Sequence, residues 1–333
     1  MNKFVELPLV EPIYSTYHYQ GMATATIGSN PSIRNWYLNQ VMDLRCGRDF
    51  FKGLSTPHIT VMDSGWPQNP HLEKRGYSSQ FVKGYINYII RELLDNGYYV
   101  VFEGVDDYYV QGKTLYKERQ RVHDGLICGY NQEDKTYCIY AYDSNWVYRK
   151  FWTPQRCFNA GRMAMHKKGE YGNICGIKPH LDKVEFSPEI VYKNLLEYLD
   201  SSFEKYPINS EGEVFGTIVH AYIGEYIKKL MDGSIPYEKM DHRILRVIWE
   251  HKKVMLERII AMEEVLQLGQ TYSDQYRPLV DKANSMRMLY ASHQMKRRDS
   301  VLPILYKKLL ELMDAERKIL ITFTEKVGKE LKK

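Results

Sequence analysis

The stretch that most constrains this chain runs from Arg121 to Trp146, RVHDGLICGYNQEDKTYCIYAYDSNW, and reads as two β-strands joined by a polar turn. Aromatic and β-branched residues of near-alternating polarity flank Asn131-Gln132-Glu133-Asp134-Lys135, whose Asn and Asp side chains favour chain reversal. A turn centred on Glu133 sets His123 opposite Asp143 and Cys128 opposite Cys138. Opposed side chains on a ladder have Cβ atoms about 4.5–5.5 Å apart, within reach of a hydrogen bond between an imidazole and a carboxylate.

Such a pair is the orienting half of a nucleophilic triad. The carboxylate fixes one ring nitrogen and leaves the other to take a proton from a thiol, hydroxyl or amine. Because strand side chains alternate between faces, Cys128 and Cys138 are expected to point away from His123. The competing structural reading makes Asp143 the head of an Asp-Ser-Asn turn, and a one-residue slip of register would separate the pair.

Composition narrows the class. A chain of 333 residues has room for about two domains, and 44% apolar with 26% charged residues is ordinary for a soluble globular protein. The 28 tyrosines suit a half-wet cleft or interface as well as strand packing. The net charge of +5, without a basic run interleaved with aromatics, does not favour nucleic acid. Five dispersed cysteines argue for a reducing compartment, and the start MNKFVELPLVEPIY lacks the apolar core of a signal peptide. With no long apolar run to suggest a membrane span, the expectation is a cytoplasmic protein. A homo-oligomer is left open.

Along the chain, residues 1–14 read as extended. Tyr17–Ile27 reads as a short helix, Ile33 to about Arg45 as a clearer one, His58–Met62 as a strand and Tyr77–Asn96 as a helix with the stripe Phe81, Tyr85, Tyr88, Ile89 and Leu93. Tyr98–Glu103 reads as a strand, VFEGVDDYYV as a turn, and Phe151–Ala160 as a last strand and turn. Helices then follow at 187–199, 216–231, 241–268, about 273–296 and about 302–331, with Pro278 and Pro303 in first turns. The fold class expected is α+β: a mixed domain over 1–185 and an all-helical bundle over 186–333.

A mixed domain that opens with helices and ends in a hairpin bearing His then Asp has the order of a papain-like cysteine-protease-type fold. There a thiol sits at the start of the first helix, where the dipole favours a thiolate. Here that start offers Ser15, Thr16, Tyr17, His18 and Gln20 and no cysteine. Tyr17, His18 and Gln20 are expected to touch substrate. Cys46, between Arg45 and Arg48, is the nearest candidate nucleophile, although its expected place at a helix C-terminus disfavours an anion. Cys157 and Cys175 are weaker candidates. His58, His71 and Asp63, and the pair His242/His251, lack ligand spacing, so neither metal nor other cofactor is expected.

With HDGLICGYNQEDKTYCIYAYDSNW, NWYLNQVMDL and DHRILRVIWEHKKVMLERI together, the chain resembles the family typified by the N-terminal domain of butirosin biosynthesis protein H, a papain-like family of bacterial natural-product gene clusters. The resemblance spans most of the chain through loose motifs. It implies acyltransferase activity in antibiotic biosynthesis: a cysteine takes an acyl or aminoacyl group from an acyl or peptidyl carrier protein and passes it to an amine of a small molecule. In that scheme His123 would be the base and Asp143 the orienter. The family's cysteine belongs near Tyr17 or His18, where this sequence has none. The alternative reading is a catalytically inactive protein that binds a carrier protein or peptide.

Overall fold

The computed structural model describes residues 2–47, 57–201, 212–298 and 300–333. In chain order the first half forms β1 (Phe4–Glu6), α1 (His18–Ala25), α2 (Ile33–Gln40), β2 (Leu44–Gly47), β3 (Ile59–Val61), β4 (Leu72–Ser78), α3 (Ser79–Val82), α4 (Ile86–Asp95), β5 (Tyr99–Asp106), β6 (Val122–Asn131), β7 (Thr136–Tyr142), β8 (Tyr148–Pro154), α5 (Gln155–Lys167) and β9 (Asn173–Pro179). The remainder forms α6 (Pro188–Asp200), β10 (Glu213–Phe215), α7 (Val219–Met231), α8 (Arg243–Val265), α9 (Thr271–Met295) and α10 (Val301–Glu330). Two compact units result, one of residues 1–33 and 64–183, the other of residues 34–63 and 184–333. The early segment Arg34–Asp63 therefore belongs with the C-terminal helices.

The first unit is built on an antiparallel sheet in the order β4-β9-β5-β6-β7-β8, with β1 pairing the end of β6. Strand alternation divides its side chains between two cores. On one face Val100, Phe102, Ile127, Tyr137 and Ile139 pack with Ile86, Ile90 and Leu93 of α4 and Phe158 of α5. On the other, Val101, Leu126, Cys128, Cys138, Tyr140 and Ile177 pack with Met22, Ala23 and Ala25 of α1. Small residues let α1 lie close. A Cβ on Gly21 would stand 2.5 Å from the Tyr148 ring.

In the second unit α8 packs on α9, α9 on α10, and α10 on α6 and α7, beside a three-stranded antiparallel sheet in the order β10-β2-β3. The apolar stripe of α8 buries Leu245, Ile248, Met255, Ile259 and Met262. Trp249 lies at its edge, under Lys253 and Arg287. The strand β10 interrupts the helical half expected from sequence, and Pro278 lies inside α9 rather than in its first turn.

Two further elements depart from expectation for physical reasons. The helix opened by Ile33 stops at Gln40, not Arg45, because buried Arg258 donates to its terminal carbonyls. Its Nε reaches Leu38 O at 2.6 Å, and its Nη2 reaches Tyr37 O at 3.2 Å and Val41 O at 2.9 Å. The helix expected over Tyr77–Asn96 breaks at residues 83–85 around Gly84. The α4 that follows buries Ile86, Ile90, Leu93 and Leu94, while Phe81 of α3, Tyr85 and Tyr88 are exposed.

Candidate functional site

The β6–β7 ladder pairs Leu126 with Tyr140 and Ile127 with Ile139, in the expected register, but shifts by one residue at a bulge nearer the turn, so that Gly129 and not Cys128 stands opposite Cys138. Asn131 builds that turn: its Oδ1 accepts from Glu133 N at 2.9 Å and Asp134 N at 3.2 Å. The pairing of β7 ends at Tyr142, so Asp143 has no ladder partner. It heads the next turn instead. Its Oδ1 accepts from Asn145 N at 2.8 Å and Val147 N at 3.0 Å, and its Oδ2 accepts from Arg149. Burial raises the Asp143 pKa, but the two amides and Arg149 outweigh it and hold the carboxyl below its usual range.

His123 instead finds its acid on its other side. It pairs with Val105 of β5, beyond a bulge between Phe102 and Val105 where Gly104 takes φ +75° and donates its N–H to Asp124 Oδ1 at 3.1 Å. The chain leaving β5 is then pinned to the residue before β6. Asp107 N donates to Arg121 O at 2.8 Å, and Asp106 Oδ1 accepts from Arg121 N at 3.1 Å. Asp107 is thereby delivered to the imidazole, with its Oδ2 2.5 Å from His123 Nδ1. Its Oδ1 lies 3.6 Å from Nζ of Lys113, and both side chains are buried. The expectation that Asp143 orients His123 is corrected: Asp107 does.

With Nδ1–H given to Asp107, the neutral ring carries its lone pair on Nε2, which has no hydrogen-bond partner among the described residues. The His123 side chain is 23% exposed, so solvent and ligands can reach it. The ring of His18, first residue of α1, stands 5.6 Å from that of His123 and also meets Tyr142 at 5.4 Å and Tyr148 at 5.9 Å. The helix start is held there by Tyr142, whose hydroxyl donates to Ser15 O at 2.9 Å. Burial, then the charges of Lys113 and His123, push the His18 pKa down to about 3 despite Asp107. His18 is thus a neutral imidazole at neutral pH. Burial lowers the Lys113 pKa, with Asp107 acting against it.

Of the other expected residues, Gln20 is buried and donates to Ser64 Oγ at 2.5 Å, while buried Tyr17 stacks on Tyr19. Cys46 is not at a helix C-terminus but in β2 of the second unit, between Val214 and Ile59, with its thiol bonded to Gly47 O at 3.2 Å. Arg48 lies outside the described residues. Cys128 and Cys138 lie in the core beneath α1, where the Cys138 contact and then burial raise the Cys128 pKa well above its usual range. Among the described residues, no group of three or more His, Cys, Asp or Glu side chains could hold a metal ion. No described helix is long and apolar enough to cross a membrane.

Sequence reasoning missed Asp107 and Lys113. The available signal was the doubled Asp106-Asp107 at the end of a strand, read as part of a turn. In comparison with known proteins, the chain matches no protein-family model and no curated sequence.

Proposed function

We propose that this chain is an acyltransferase-like enzyme of the papain-like type, in which His123 acts as general base and Asp107 as its positioning residue. The observation that carries the reading is the 2.5 Å contact between His123 Nδ1 and Asp107, which leaves Nε2 as the acceptor. The start of α1 stands beside that imidazole and presents His18 where the papain-like arrangement has a thiol.

Transfer therefore runs without a covalent enzyme intermediate. An amine or water attacks the carbonyl carbon of an acyl thioester while Nε2 takes its proton. The tetrahedral intermediate collapses with rupture of the C–S bond, and the imidazolium returns the proton to the departing thiolate. The donor is an acyl or peptidyl carrier protein or a small-molecule thioester, and the chemistry needs no cofactor. The second reading, a binding protein for a carrier protein or peptide, draws on the missing thiol at the head of α1.

The test is turnover of an acyl-pantetheine thioester with and without an added amine, for wild type, His123→Ala and Asp107→Asn. Both variants are expected to lose about 10²–10⁴-fold in kcat. Rates unchanged in His123→Ala, with only carrier-protein binding altered, favour the binding reading. An acyl adduct on Cys46 that disappears in His123→Ala overturns the non-covalent route.

A further inference from the structure

Independently of the acyl-transfer reading, one face of α5 carries an unexplained concentration of unpaired polar atoms. Asn159 Oδ1, Arg162 Nε and Nη1, and His166 Nδ1 are all buried and have no hydrogen-bond partner. Positions 159, 162 and 166 follow helical spacing, so the three side chains leave the helix on one side.

Arg162 is the most demanding of them, being only 8% exposed. No described carboxylate answers its charge: burial lowers its pKa and the phenol of Tyr137 opposes this. That phenol is already committed, donating to Asn87 Oδ1 at 2.9 Å. Nearby charge is of the same sign, since Arg91 and Arg162 both act on Tyr137. A guanidinium whose Nε and Nη1 are both buried without a partner is strongly unfavourable, and folds that keep one supply an anion.

The neighbouring side chains favour the same ligand. His166 Nε2 lies 3.2 Å from Ser79 Oγ. Burial, then Arg162 and Lys83, lower the His166 pKa. If the Ser79 hydroxyl donates to Nε2, the ring proton sits on the orphaned Nδ1, which becomes a donor. The Asn159 amide, turned over, presents N–H as well. The set is rich in donors and poor in acceptors.

We infer that this face of α5 is an oxyanion site, in which the Arg162 guanidinium and His166 Nδ1–H receive the oxygens of a carboxylate or phosphate group. Arg162 matches such a group because its fork presents paired N–H donors to two oxygens.

The test is isothermal titration of the full chain with sodium phosphate and separately with sodium acetate, at ionic strength held constant with sodium chloride. At least one of the two is expected to bind saturably, and whichever binds tighter names the class. Arg162→Met is expected to weaken that binding at least tenfold. Arg162→Lys keeps a charge but loses the fork, and is expected to weaken it severalfold; it decides the matter if Arg162→Met does not fold. His123→Ala is expected to bind the anion as wild type does, which separates this site from the proposed catalytic one. Absence of saturable binding of either anion, or equal affinity in the Arg162 variants and wild type, overturns the inference.

Discussion

Replacing Lys252 by Met tests the buried polar cluster of the helical unit, where five helices each contribute a side chain. Glu316 of α10 accepts from Lys252 Nζ of α8 at 2.7 Å on each oxygen, from Tyr276 of α9 at 2.5 Å and from Tyr198 of α6 at 3.4 Å. His220 of α7 donates from Nδ1 to Thr217 O at 2.9 Å, which turns its unprotonated Nε2 toward Glu316 at 3.6 Å. His251 of α8 donates from Nε2 to Met42 O at 2.8 Å and accepts from Lys252 at 3.3 Å on Nδ1. Removing one partner of a fully buried ion pair costs about 3–5 kcal/mol, and that loss is expected for Lys252→Met at pH 8. The same loss should shrink in acid. Burial, then the Lys252 charge, hold the His220 pKa down to about 4 from 6.5, so in wild type the unfolded chain binds the extra proton as pH falls through that window. At pH 5 this removes about 2 kcal/mol of wild-type stability. Without Lys252, a proton on Nε2 of His220 pairs with Glu316, and protonation of Glu316 itself acts in the same direction. Urea denaturation followed by circular dichroism at 222 nm should therefore give a difference between variant and wild type that is about 2 kcal/mol smaller at pH 5 than at pH 8. A difference independent of pH, or a variant more stable than wild type at pH 8, would refute the argument that the Lys252 charge adds to burial in keeping His220 neutral.

Two other perturbations separate structural from functional roles. Asp143→Ala removes the acceptor of two backbone amides and Arg149, and should lower stability by about 1–3 kcal/mol while leaving thioester turnover unchanged, unlike Asp107→Asn; a turnover loss equal to that of Asp107→Asn would restore Asp143 as orienter. His18, with its pKa lowered to about 3, binds its proton more weakly folded than unfolded, so wild type should lose stability as pH falls from 6.5 toward 3. His18→Phe should flatten that slope, recovering about 2 kcal/mol near pH 5 in the same denaturation series, and an unchanged slope would show that the ring is protonated in place.

Local chemistry made the hairpin legible, and it failed one residue past the end of β7. Alternating apolar residues make both strands legible, but the Asn131 turn sets Asn131 opposite Thr136, one residue off a turn centred on Glu133, and the bulge between Ile127 and Gly129 brings Ile127 opposite Ile139 and Leu126 opposite Tyr140. Extending that register to His123 and Asp143 assumes that β7 continues, yet the Asp143 oxygens are already taken by amides two and four residues on. A short-range turn outcompetes a cross-strand contact because it closes a much smaller loop. The acid that reaches His123 comes from β5, whose adjacency to β6 is a matter of sheet order and whose bulge at Gly104 re-aims the chain. The same reasoning explains the misread end of α2. No residue near Gln40 stops that helix, while Arg258, about 220 positions downstream, supplies the donors its carbonyls need. The strand that follows, Leu44–Gly47, exists only because β3 and β10 flank it, and so Cys46 moved from an expected helix end to the middle of a sheet. Residue types pointed to a carboxylate partner for His123. Which carboxylate serves it was decided by contacts between strands that sequence reading had not placed side by side, and the Asp107→Asn and Asp143→Ala pair puts that decision to a direct comparison.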